Sequence, residues 1–98
     1  MRLDKSQRYA LKQALLNLNS DDKAFLFGSR VFDNTCGGDV DVLIFSSQPS
    51  FELSRKFTRD YFKNCEEKID VVVINPQTMT DEQSLFVASI DKEMIVDL

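Results

Sequence analysis

Gly37-Gly38-Asp39-Val40-Asp41-Val42-Leu43-Ile44-Phe45 is the stretch that decides how this chain is read. Two glycines and an aspartate lead into an apolar run that is broken only at Asp41. Side chains alternate across a strand, so a strand over Val40–Phe45 sends Val40, Val42 and Ile44 to one face. Asp39, Asp41, Leu43 and Phe45 go to the other. At roughly 3.3 Å per residue the two carboxylates start about 7 Å apart, close enough for both to reach one hard cation or a bridged pair. With no cation between them they repel each other on a strand that otherwise favours burial.

Upstream, Ala24 to Phe27 is a short dense apolar run ended by Gly28, which fits a buried strand better than a helix of four residues. Asn34 to Gly38 combines polar turn formers with glycines and reads as a loop. Earlier still, Leu11, Ala14, Leu15 and Leu18 recur at helical spacing, with Asp4 or Ser6 as the cap and Asn19 to Asp22 as a polar stop.

Downstream, Pro49-Ser50 starts a helix in which Leu53, Phe57 and Tyr61 recur every four residues, ending near Asn64. Ile69 to Ile74 is a β-branched strand stopped by Asn75-Pro76. Thr80 or Asp81 caps a last helix with Leu85, Phe86 and Ile90, followed by a short apolar tail from Met94 to Leu98. Phe51, Phe57, Tyr61 and Phe62 are assigned to the core, as is Cys65, and Lys5, Arg8 and Lys12 to a solvated helix face. Alternating helices and strands predict an α/β domain over residues 1–98, with helices packed on a small sheet. The short link between the first two strands permits antiparallel pairing, whereas the helix between the second and third calls for a crossover, so the sheet is expected to be mixed.

Asp70 is a third carboxylate embedded in an apolar strand, where an ionised group needs solvent, a cation or a partner. If its strand lies beside Val40–Phe45, Asp70 joins Asp39 and Asp41. Three such carboxylates with two Mg²⁺ ions, or Mn²⁺, make the oxygen-rich site used for phosphoryl and nucleotidyl transfer. Gly28 and Ser29 follow the first strand, where a glycine lets phosphate approach backbone N–H groups and the hydroxyl adds a donor. Arg30 adds a planar cation for phosphate oxygens. A competing reading has Asp39 capping the glycine turn, Asp41 on a solvated face, Asp70 paired with Lys68 or Arg55, and Arg30 in a surface salt bridge.

Twelve basic against sixteen acidic residues give a formal charge of −4, with no Lys/Arg block long enough to coat a phosphate backbone. Direct nucleic-acid binding is therefore not expected. Cys36 and Cys65 lack the close spacing of a zinc site and there is no histidine to complete one. Neither a membrane span nor a secretory signal core is evident. The chain reads as cytoplasmic with free thiols.

The set Leu26-Phe27-Gly28-Ser29-Arg30, nine residues from Arg30 to Gly38, Asp39-Val40-Asp41-Val42-Leu43-Ile44 and Ile69-Asp70-Val71-Val72 resembles the DNA polymerase beta-like nucleotidyltransferase superfamily, specifically its minimal nucleotidyltransferase branch. The resemblance implies that Asp39 and Asp41 bind both metals. Asp70 would bind the catalytic one and help deprotonate the acceptor, and Gly28, Ser29 and Arg30 would hold the terminal phosphates of ATP. Val31-Phe32-Asp33 departs from the family pattern, which commonly has small residues and a further glycine there. Minimal nucleotidyltransferases commonly act as antitoxins beside HEPN-type ribonuclease toxins. A protein adenylyltransferase acting on a tyrosine of such a partner is therefore implied, alone or in an oligomer. The alternatives are a non-catalytic module that neutralises the partner by contact, and transfer to a small molecule such as an aminoglycoside.

Overall fold

A computed structural model describes residues 3–28 and 40–95. Its first helix, α1 (Lys5–Ala14), is capped by Asp4. The Asp4 carboxylate accepts from the Gln7 N–H at 2.8 Å, while the Asp4 N–H donates to Gln7 Oε1 at 3.0 Å. This reciprocal pair satisfies two otherwise open donors, contributes about 1 kcal/mol, and selects Asp4 over Ser6 as the cap. A short 3₁₀ turn, Leu15–Asn17, ends the helix. Lys5, Arg8 and Lys12 are exposed, as their spacing implies.

The sheet contains β1 (Lys23–Phe27), β2 (Val40–Phe45), β3 (Ile69–Ile74) and β4 (Lys92–Met94) in the order β3-β2-β1-β4. β1 runs antiparallel to both β2 and β4, and β2 runs parallel to β3. The mixed sheet expected from connection lengths is present. Helix α2 (Ser50–Phe62) makes the crossover between the parallel pair. Of β4, the sequence assigns only Met94, as the start of an apolar tail, and gives Lys92 and Glu93 no element. Three residues are too few to show a period, and what makes them a strand is the open edge of β1.

One sheet face is buried beneath α1 and α2. Leu26, Val40, Val42 and Ile44 pack there against Ala10, Leu11, Leu53, Phe57 and Tyr61, and Cys65 closes one end. Fully burying side chains of this size contributes about 1.5–3 kcal/mol each. Two aromatic residues assigned to this core lie outside it, since Phe51 is 71% and Phe62 45% exposed. The reason is helical phase: Leu53, Phe57 and Tyr61 point inward at i, i+4 and i+8, which turns Phe51 and Phe62 to the opposite side.

A polar cluster ties the link between α1 and β1 to the rest of the fold. Gln48 Nε2 donates to the Asn17 carbonyl at 3.1 Å and to Asp22 Oδ2 at 2.8 Å, and Asn17 Nδ2 donates to Asp60 Oδ2 at 2.8 Å. The Asn17 hydrogen bond, aided by Arg59 and Lys63, holds the Asp60 carboxyl below its usual range. At Asp22, burial pushes the carboxyl up, but hydrogen bonds from the Asn19 backbone, Gln48 and Ser46 outweigh it and leave the group lowered.

The last helix, α3 (Asp81–Ser89), is capped by Thr80 and not Asp81, again through a capping box, with Gln83. It buries none of its residues. Leu85 is 72% exposed, and Ile90 falls beyond the helix as its extended C-cap. Phe86 packs edge-on against Phe27 of β1 at 5.7 Å, and Ile90 is half-buried. No helix among the described residues is long and apolar enough to cross a membrane.

Candidate functional site

The sheet face not covered by α1 and α2 carries the chemistry. Residues directly opposite one another on neighbouring strands present their side chains to the same face. Phe27 pairs with Asp41, and Asp41 pairs with Asp70. The two carboxylates therefore stand side by side across the parallel pair, one inter-strand spacing apart, about 4.8 Å at the backbone. Asp41 is half-buried and Asp70 is exposed. Like charges in this position oppose pairing, a cost that persists only where something else is gained. Asp70 forms no ion pair with Lys68 or Arg55 among the described residues, so the salt-bridge reading of that aspartate has no support.

Gly28 closes β1 beside this pair. Its φ is +74°, in the left-handed region that L side chains rarely adopt. A Cβ at this position would sit 2.7 Å from Asp41 Oδ2. Glycine is thus required twice, once by the backbone angle and once by the space in front of the carboxylate. That space, at the end of β1 and in front of the Asp41 carboxylate, is one which any side chain at position 28 would fill.

Among the described residues no three acidic, histidine or cysteine side chains group into a metal site. Two of the three expected carboxylates are in register. The third, Asp39, immediately precedes β2 and lies outside the described residues, as do Ser29, Arg30 and Cys36. Paired hard-oxygen donors on neighbouring strands fit a divalent cation such as Mg²⁺, which Asp41 and Asp70 would hold.

Two features of this face escaped the sequence reading. Lys92 on β4 pairs with Phe27, so the lateral row is Lys92, Phe27, Asp41, Asp70. It places a cation on the carboxylate side, with Nζ 3.5 Å from the Val87 carbonyl of α3. Alternation within Lys92–Met94 would have revealed it only if β4 had been recognised as a strand. The second is a cleft of about 300 Å³ between α3 and β3, lined by Val72, Val73, Ile74, Glu82, Gln83 and Phe86. It begins two residues along the strand from Asp70, a geometry set by a helix that sequence places only approximately.

The sequence matches the family described as nucleotidyltransferase domain over residues 8–97. No curated protein is significantly similar to the chain.

Proposed function

This chain belongs to the nucleotidyltransferase domain family, and we propose that within it the chain moves AMP from ATP to a hydroxyl on a partner protein. The observation that carries this reading is the register of Asp41 beside Asp70, with the space at Gly28 in front of Asp41 Oδ2. Two carboxylates in register on neighbouring strands, next to space kept clear by a left-handed glycine, supply hard oxygen donors suited to a divalent cation.

In the reaction, an oxygen of the acceptor attacks the α-phosphorus and the bond to pyrophosphate breaks, with its electron pair leaving on pyrophosphate. Asp39, Asp41 and Asp70 would hold Mg²⁺ or Mn²⁺. Bound there, the cations would offset the triphosphate charge and ease ionisation of the attacking hydroxyl. Asp70, the exposed member of the pair, accepts the hydroxyl proton on a carboxylate oxygen. Gly28 lets the chain approach the phosphates closely, Ser29 donates a hydrogen bond to them, and Arg30 and Lys92 supply fixed positive charge. The cleft beside Asp70 offers Val72, Ile74 and Phe86 as apolar surface on the acceptor side.

The partner we assign is a HEPN-type protein, with this chain as its antitoxin in the cytoplasm. The support is the resemblance of the Gly28-Ser29, Asp39-Val40-Asp41 and Asp70 set to minimal nucleotidyltransferases that work in such pairs. The test is incubation of the full chain and its neighbouring gene product with ATP labelled at the α-phosphate, with Mg²⁺ or with EDTA. Label on the partner that depends on Mg²⁺ and on Asp41 is expected. ATP binding that is equally tight in EDTA would remove the metal site, and label on neither chain would remove the protein acceptor.

A further inference from the structure

The outer face of α2 lies on the other side of the core from the carboxylate row and carries a second, unrelated pattern. Phe51, Arg55, Thr58, Arg59 and Phe62 fall on one stripe, opposite the buried Leu53 and Phe57. Two phenylalanines at 71% and 45% exposure bracket this stripe, about 16 Å apart along the helix axis at 1.5 Å per residue. Arg55 lies over the Phe51 ring at 5.5 Å. With Lys56, Arg59 and the acidic Glu52 it walls a shallow cleft of about 560 Å³. Arg55 and Lys56 make no ion pair among the described residues, whereas Arg59 and Lys63 both reach Asp60.

Charge is distributed unevenly along the sequence. Residues 51–63 hold four basic side chains and two acidic, a net +2 in a chain whose total is −4. Of the two acids, Asp60 already accepts from Asn17. Exposed aromatics alternating with arginine are the composition of energetic centres in protein interfaces. A nucleic acid is disfavoured as occupant, because Arg59 and Lys63 already reach Asp60 and the face offers too few cations to neutralise a run of phosphates.

We infer that the outer face of α2 docks an acidic partner protein, which lays a helix with an apolar stripe against Phe51 and Phe62 and carboxylates against Arg55 and Arg59. This surface is independent of nucleotidyl transfer.

Two designed 18-residue helical peptides test it by fluorescence anisotropy on the full chain. Both have leucine at i, i+4, i+7 and i+11. One has glutamate at the flanking positions and the other lysine. The glutamate peptide is expected to bind at least tenfold tighter than its lysine twin, and Phe51→Ser to weaken it at least fivefold. Arg55→Glu/Arg59→Glu should reverse the preference between the twins. Arg55→Glu alone, which breaks no ion pair, should shift it in the same direction with an unchanged circular dichroism spectrum. Equal binding of the twins, or unchanged affinities in the variants, would overturn the inference. So would tighter binding of a 20-nucleotide oligouridine, or self-association by sedimentation that Phe51→Ser abolishes.

Discussion

Replacing Gly28 with alanine separates the two demands made on that position. The backbone demand is the left-handed φ of +74°, which costs an alanine about 1–2 kcal/mol. The spatial demand is the approach of the new methyl to 2.7 Å from Asp41 Oδ2, which forces the carboxylate off its rotamer for roughly 0.5–1.5 kcal/mol more. Together about 1.5–3.5 kcal/mol should be lost, and a domain of this size loses about 4–8 °C of melting temperature per kcal/mol. A drop of roughly 6–28 °C is therefore expected in a calorimetric melt. Repeating the substitution in an Asp41→Ala background removes the carboxylate but not the backbone angle. Gly28→Ala should then cost only its first component, leaving a coupling of roughly 0.5–1.5 kcal/mol in the double-mutant cycle. A cost that is identical in both backgrounds would refute the steric contact, and no cost in either would refute the left-handed conformation as well.

Asp41→Asn and Asp70→Asn should each abolish transfer while raising thermal stability in EDTA by a few tenths of a kcal/mol to about 1, because each relieves a side-by-side repulsion; a large loss in melting temperature would make the pair structural. Lys92→Met, at an exposed position on an edge strand, should weaken MgATP binding several-fold and AMP binding far less, as read by titration calorimetry, and equal effects on both would detach Lys92 from the terminal phosphates. The Asp60 carboxyl is held below its ordinary value near 3.8, so its contribution is present above that pH and fades as pH falls through the lower folded value. Asp60→Asn should therefore cost roughly 0.5–1 kcal/mol at pH 7 and progressively less as the pH is taken below 3.8, with urea midpoints across that range as the measurement.

The elements with strong local signals were legible. Val40–Phe45 and Ile69–Ile74 are dense β-branched runs with clear stops, and their aspartates could be assigned to one face by alternation alone. Asp41 and Asp70 fall in the same lateral row because the parallel register places them there, which no single strand encodes. The misassigned aromatics Phe51 and Phe62 show the limit of composition: hydrophobicity marks a residue as apolar, and only the phase set by Leu53, Phe57 and Tyr61 decides which side it faces. β4 and the cation it brings were not legible, since a three-residue strand is defined by the edge it completes. Ser29, Arg30 and Asp39 rest on the sequence pattern.

Among the described residues β3 is the outermost strand of the sheet on its side, and its sequence, Ile69-Asp70-Val71-Val72-Val73-Ile74, has five β-branched residues, no proline and one charge. Such a segment at an open edge is a template for strand addition between copies of the chain. Asp70 interrupts it with an exposed negative charge, so that two such edges brought together would confront carboxylate with carboxylate. The residue that would receive the acceptor proton thereby also guards the protein's solubility. Evolutionary loss of transfer by neutralising Asp70 would trade away that protection in the same step, and an inactive descendant would more readily lose Asp41, which has a neighbouring strand on either side.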